Sequence, residues 1–477
     1  MKKTVHHPTS AIPKRLEKPV DPRKSVNLLG MILLLKKHLT PVLCQTVFEN
    51  LKDKQRDRKW LFNTIVAFWV AMAVDNPRSL SQGVAQTRKR RSREALWPHV
   101  GATAQAFFQK CQELRPDFFQ TLYRAFLSSL WPEIPEAYAS WMKALRSRFP
   151  AILVVDGSRL DAVRHRLKLL WRVRAQVLPG CVTVFYDLYR GIARDVLFYS
   201  NAAEPELPRA QDMMGWMAKG TLLLGDRLYA SVQYFHLLVG QGLYGLFRRN
   251  GRLKIRRLEV LSRKQGSRCF LEELLVEVGC GATQPKITLR LIRFRGKGRS
   301  LDLLSNVLDP RMLSAQEAVQ LYGLRWSIER MFLDLKETLN LHSLYASHPN
   351  LVAQQVYAAA IVHAAFRVAQ AGVAAKARVL PEQLSSAKLF PQLADACKMY
   401  CVGQWTFLET RALNPGVRLK TPDFRKHPDA WTRLGSILLQ HRKTRRRKKK
   451  FHPQRARWKS FAHVPGGPTL LKNATDG

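Results

Sequence analysis

The 477-residue chain is short of acid: 35 Asp and Glu stand against 79 Lys and Arg, a formal net charge of +44. Self-repulsion on that scale weakens a compact fold unless a polyanion is the usual partner. The deficit therefore points to DNA or RNA, with an anionic membrane the weaker rival. Cysteine is scarce as well, seven in all and without paired spacing. An odd, scattered set excludes a disulfide framework and suits a reducing cytoplasm. Cys397 and Cys401 lie four apart, but with no second pair or nearby His they read as core thiols rather than metal ligands. No run reaches the roughly 20 apolar residues a membrane span needs. The nearest, 60–74 and 352–371, are interrupted by Asn63 and by Gln354, Gln355, His363 and Arg367, and read as buried helices. No signal-peptide pattern opens the chain, where Pro8 and Pro13 follow a basic Met1-Lys2-Lys3. The expected partner is nucleic acid, not a membrane.

The stretch from Tyr322 to Lys336 organises what is present. Apolar residues at 321, 324, 328, 331, 332, 335 and 339 predict one helix from about Ser314 to Asn340. At about 100° per residue, Tyr322, Arg325, Glu329 and Lys336 share an arc of about 60° beside the apolar stripe. A solvated i, i+4 ion pair between Arg325 and Glu329 would give the same spacing. Two earlier stretches favour a site. Ala151-Ile-Leu-Val-Val-Asp156-Gly and Thr221-Leu-Leu-Leu-Gly-Asp226 each read as a core strand ending in an acid. Either Asp alone is a plausible turn or helix-capping residue. With Glu329 they form three carboxylates able to hold two divalent ions about 4 Å apart, the apparatus for in-line attack on a phosphodiester.

Tyr322, Arg325, Glu329 and Lys336 match the spacing Tyr-x2-Arg-x3-Glu-x6-Lys without a gap. In this the chain resembles the DDE transposases of bacterial insertion sequences, in the branch founded on insertion sequence 4, over about residues 150–345. The resemblance implies Asp156, Asp226 and Glu329 as catalytic residues and ligands to two Mg²⁺, with Mn²⁺ able to substitute. It implies Tyr322, Arg325 and Lys336 as contacts to transposon-end DNA, and a homodimer acting on paired ends of double-stranded DNA near the bacterial nucleoid. No covalent protein–DNA intermediate is needed, so Tyr322 is not a nucleophile. The family often has a small residue soon after the second Asp. Here Arg227 and Leu228 precede Tyr229, which leaves the role of Tyr229 open. A metal-dependent nuclease or resolvase without strand transfer, and a catalytically inactive DNA-binding relic, are the alternative functions.

The expected fold class is α/β, a ribonuclease-H-like catalytic core interrupted by a β-rich insertion. The predicted order is a strand ending at Asp156, strands over 172–189 (broken at Pro179-Gly180) and 192–199, a helix over 209–219, a strand ending at Asp226, a helix over 231–239 and a strand over 243–248. In such a sheet the first and fourth strands are neighbours, by analogy of fold. This core is assigned to 149–250 and 312–375. Alternating apolar and basic residues around 286–295 predict antiparallel strands in an insertion, 251–311, with the basic side chains facing DNA or solvent. Residues 1–148 are predicted to be a helical DNA-binding region. It has a basic arm over 1–25, helical segments over 27–38, 60–74 and 102–130, and a weak helix-turn-helix signal around Asp75–Gln82 beside the basic run 88–93. Residues 376–477 hold further helix and a basic tail. Its 442–459 segment has eleven Lys and Arg and no acid, as expected of an electrostatic arm.

Overall fold

The computed structural model describes residues 30–401 apart from 59, 90–95, 161–179, 203, 213, 267–268, 282–283, 297–298 and 342. All of these belong to one compact unit, Met1–Leu438. The N-terminal arm, most of the 88–93 basic run, the first half of the predicted second strand and the C-terminal tail lie outside the described residues.

Among the described residues, seven α-helices precede the sheet: α1 (Gly30–His38), α2 (Pro41–Leu51), α3 (Phe62–Asp75), α4 (Leu80–Thr87), α5 (Ala104–Glu113), α6 (Pro116–Leu130) and α7 (Lys143–Arg148). Their boundaries follow local chemistry. Thr40, Ser79 and Thr103 each accept a hydrogen bond from a first-turn amide, and Pro41 and Pro116 sit in first turns, where no amide donor is missed. The turn between α3 and α4 is made by Asn76 in the left-handed conformation, and α3 itself is buried on nearly all sides. Its Trp69 Nε1 donates to Gln354 at 2.9 Å on α12 (Pro349–Ala377), the longest described helix. By length and composition α12 could cross a membrane, yet 83% of its apolar window is covered by protein. It packs on α1, α3, α6 and the sheet, as a core helix does. The last described helix is α13 (Ser386–Cys401), on which Cys397 is buried.

One nine-stranded sheet runs through the molecule in the order β3-β2-β1-β4-β5-β9-β8-β7-β6. The first three strands, β1 (Ile152–Arg159), β2 (Cys181–Asp187) and β3 (Ile192–Tyr199), are antiparallel. Then β4 (Leu222–Gly225) and β5 (Tyr244–Arg248) run parallel to β1, with β4 beside it. Between β3 and β4 lies α8 (Glu206–Asp212) with a 3-10 turn at Met214–Trp216, and between β4 and β5 lies α9 (Val232–Gly240). The helix expected over 209–219 thus starts three residues early and ends early. Pro208 occupies its first turn, where proline is tolerated.

The alternating segment forms β6 (Ile255–Gln265), β7 (Cys269–Val278), β8 (Ile287–Gly296) and β9 (Arg299–Ser305), and continues the same sheet because β9 pairs antiparallel with β5. Not all of its basic residues face outward. Arg290 is fully buried and donates to the carbonyl of Leu313, because its register places it on the core face. Ile152, Val154, Leu222 and Leu224 of the sheet pack against the helical side, while Leu153, Val155 and Leu223 face the α8–α9 side.

Candidate active site

The parallel pairing of β1 with β4 sets the site. Ile152 is opposite Leu222, Leu153 opposite Leu223 and Val154 opposite Leu224. Continued by two residues, that register places Asp156 level with Asp226. Side chains alternate along a strand, so both acids follow Val154 and Leu224 toward the helical side of the sheet. The first strand does not end at Asp156 as expected but runs on to Arg159, paired with β2 alone once β4 has stopped. Asp156 therefore sits inside a strand, and Asp226 begins the turn after one. Asp226 Oδ1 accepts from the Leu228 amide at 2.6 Å, which fixes that turn.

Glu329 arrives from the helical side. The single helix predicted over 314–340 is interrupted. α10 (Ala315–Gly323), opened by a capping box between Ser314 and Glu317, stops at its glycine. The amides of Leu324, Arg325 and Ser327 bond three residues back instead of four, and α11 (Trp326–Leu333) then resumes. Gly323 is the weakest helix former in the stretch, and the tighter turn begins there. A π-helical turn, Asp334–Thr338, follows. Asp334 in that turn is tied to Ser386 of α13 at 2.9 Å and lies 3.7 Å from His363 of α12, so tertiary contacts hold the irregularity. The four signature residues consequently do not form one straight helical stripe.

They nonetheless converge in part. Arg325 Nη1 donates to Asp156 Oδ2 at 3.2 Å and Nη2 donates to Glu329 Oε1 at 2.6 Å. One planar guanidinium spans both, so their carboxylate oxygens are at most roughly 8 Å apart. Arg325 also donates to the hydroxyl of Tyr322, whose ionisation is pushed up by burial against the opposing pull of Arg325. Lys336, carried by the π turn, approaches the backbone carbonyl of Arg159 at 3.4 Å, the far end of the strand that bears Asp156.

The electrostatics are those of crowded acids. Burial, then repulsion from Glu206, pushes Asp156 up to about 7; Arg325 opposes this, and Asp226 adds to it. Glu206, at the start of α8, is raised by burial and by Asp226, against a hydrogen bond from the buried Tyr229 hydroxyl. Glu206 was not singled out by sequence. Its one local signal was its place in the first turn of a helix, which the expected start at residue 209 left outside. Tyr229 thereby has a structural partner as well.

Among the described residues no three His, Cys, Asp or Glu side chains are gathered as a ready metal cage. The donor chemistry nevertheless fits a hard divalent cation, since every candidate ligand is a carboxylate oxygen.

Residues 148–364 match the family model described as the transposase DDE domain. The match supports a DDE transposase. It takes in both strand acids, Glu329 and the whole of Tyr322–Lys336. No curated protein matches the chain. Among solved structures, the chain is similar to the piggyBac transposase in a synaptic complex with hairpin DNA. The identity is 12% and the TM-score 0.42, over 83% of this chain and 88% of that one, a likeness too slight to argue from.

Proposed function

We propose that the protein is a DNA transposase that cleaves and joins the ends of an insertion sequence, with Asp156, Asp226 and Glu329 as its catalytic triad on a ribonuclease-H-like core. The observation that carries this reading is the bridge from Asp156 to Glu329 through Arg325, beside an Asp226 in register with Asp156, inside the matched DDE domain. The three acids would hold Mg²⁺ or Mn²⁺. When bound, such ions lower the pKa of an attacking water or 3′-hydroxyl and stabilise the leaving oxygen.

The chain's own residues do the rest. Arg325 holds the carboxylates of Asp156 and Glu329 on one guanidinium, and the β1–β4 register keeps Asp226 level with Asp156. Tyr322 is held by Arg325 and half-buried, so it orients the guanidinium and is not a nucleophile. Lys336, beside the end of β1, contacts backbone phosphate next to the scissile bond. A homodimer on paired DNA ends supplies the two sites that joining requires, and the +44 charge supplies sequence-independent affinity for the duplex.

The test uses labelled duplexes taken from the DNA flanking the gene, incubated with the full chain and Mg²⁺. Cleaved and strand-joined products support the reading. Cleavage without joining leaves a metal-dependent nuclease, and binding without cleavage leaves an inactive relic.

A further inference from the structure

Lys336 meets the end of β1 from a helix that widens where it carries it. In an unbroken α-helix, a residue seven places on lies about 20° short of two full turns, so Lys336 would share the face of Glu329. Instead the Leu339 amide bonds five residues back, to the Asp334 carbonyl at 2.9 Å, and the Leu341 amide six back, to Leu335 at 3.0 Å. Lys336 lies in the middle of this π turn, with its Nζ 3.4 Å from the Arg159 carbonyl. Single π turns are rare, and they recur at functional sites. This one is held at both ends. Ser386 Oγ, at the start of α13, donates to Oδ2 of Asp334, the first residue of the turn, at 2.9 Å, and the buried His363 of α12 faces the same oxygen from 3.7 Å. Just past the turn, Asn340 in the left-handed conformation donates its side-chain amide to Asn76, between α3 and α4.

We propose that Asp334 and Ser386 are positioning residues for DNA binding: by holding the π turn they direct the Lys336 ammonium to a backbone phosphate beside the end of β1. This rests on the reading of Lys336 as a phosphate contact. Two arguments support it. A lysine ammonium acts on phosphate as a point charge, so its contribution depends on where the backbone beneath it is held. The tie is also separate from the acids. Asp334 is anchored on α12 and α13, whereas Asp156 and Glu329 meet on Arg325. Releasing Asp334 therefore moves Lys336 without removing the bridge between the two carboxylates.

The experiment is a double-mutant cycle on DNA affinity, read by fluorescence anisotropy with the full chain, divalent ions chelated, over a range of KCl. The probes are a labelled end duplex and an unrelated duplex of the same length. Lys336→Ala should weaken binding about 5- to 10-fold near 0.1 M KCl, the scale of one phosphate contact. Ser386→Ala and Asp334→Ala should each cost about 3-fold or more, with a shallower salt slope. Asp334→Asn loses the same charge as the alanine variant but keeps an acceptor for Ser386, so it should cost less than about 2-fold. Added to Lys336→Ala, Ser386→Ala should cost nothing further. A loss from Ser386→Ala that is the same with and without Lys336 is a merely structural effect and overturns the proposal. Parent-like affinity in Lys336→Ala, or in both Ser386→Ala and Asp334→Ala, overturns it as well. Should Ser386→Ala not fold, the two Asp334 variants decide: equal affinity overturns the proposal and a weaker alanine variant supports it. Because phosphate contacts are blind to sequence, the cycle on the unrelated duplex decides the inference even where the transposon-end reading fails for want of any preference for the end duplex.

Discussion

The two halves of the sheet use the same residue types to opposite ends. In the added half, carboxylates and arginines alternate across neighbouring strands. Arg263 on β6 donates to Glu272 on β7 at 2.7 Å, and Arg293 on β8 donates to the same Glu272 at 3.2 Å. Burial pushes Glu272 up, but those two arginines outweigh it and hold it below the usual carboxylate range. Hydrogen bonds from Arg256, aided by Lys286, do the same for Glu277. In the half built from β1 to β5, Asp156 and Glu206 are pushed the other way, and Arg325 is divided between two carboxylates. Acids matched by cations hold strands in register; acids left crowded mark where a mobile charge belongs. The difference sets Asp156 and Glu206 apart from Glu272 and Glu277, although burial also raises Asp187 and the Arg124-paired Asp195 on β2 and β3.

The strongest way to break that comparison is to remove the crowding. Asp156→Asn should reduce end cleavage to background while stabilising the protein. The sign follows from the raised carboxyl, which holds its proton more tightly in the folded than in the unfolded chain. The folded state is therefore favoured below the unfolded value of about 4, and that advantage is lost as pH rises through about 7. At about pH 8, with divalent ions chelated, the variant should be more stable than the parent by on the order of 3 kcal/mol, a gap that closes as pH falls toward 4. Urea unfolding across that window measures it. Added Mg²⁺ should narrow the gap at high pH by stabilising the parent alone. A gap independent of pH would mean that Asp156 is not the crowded group.

Removing the one shared cation comes next. Arg325→Ala leaves Asp156 and Glu329 without the guanidinium that spans them, and should cost about 2 kcal/mol, less than the loss of a wholly buried pair. Arg325→Lys retains the charge but not the fork that reaches two carboxylates at once, so its stability should fall between the two. Equal stability of all three proteins in denaturant titration would show that the bridge carries no weight.

Part of this arrangement was legible in the sequence. Two apolar runs leading into acids announced the strands that carry Asp156 and Asp226, fold analogy announced that those strands are neighbours, and the run from Tyr322 to Lys336 announced Arg325 and Glu329. The geometry around them was harder to read. Helical periodicity survives a one-residue irregularity, so the tight turn after Gly323 and the π turn at Asp334 left no mark on the apolar pattern. Glu206 was lost because the helix was expected to start at residue 209, and helix boundaries are the part of a helix that periodicity fixes least. Arg290 was misplaced because alternation gives the two faces of a strand but not which residue interrupts it. Partners far apart in sequence, such as Glu272 with Arg263 and Arg293, belong to strand register, which composition does not encode.

A smaller effect sharpens the division of labour among the cations. Lys336 lies within reach of the Arg159 carbonyl, at the far end of the strand that bears Asp156. Lys336→Ala should leave the fold intact and weaken binding of end DNA. The slope of log affinity against log salt should become shallower by about one. Fluorescence anisotropy over a range of KCl concentrations reads this directly, and an unchanged slope removes Lys336 from the phosphate contacts.

The smallest effect is expected in the added half, and it makes the comparison two-sided. Arg263→Ala removes one of the two arginines on Glu272. The guanidinium is more than half exposed, and Arg293 remains bonded to the same carboxylate. Stability should fall by no more than about 1 kcal/mol, the usual scale for an exposed pair. Because Glu272 is held low by its arginines, its contribution is present above the ordinary carboxylate range and is lost as pH falls through it. The variant should therefore converge on the parent in acid, the same direction as Asp156→Asn but from the opposite side: below the parent at neutral pH, not above it. End cleavage should be unchanged. A large loss of cleavage with normal stability would mean that this ladder does more than hold strands together, and the line drawn between the two halves of the sheet would have to move.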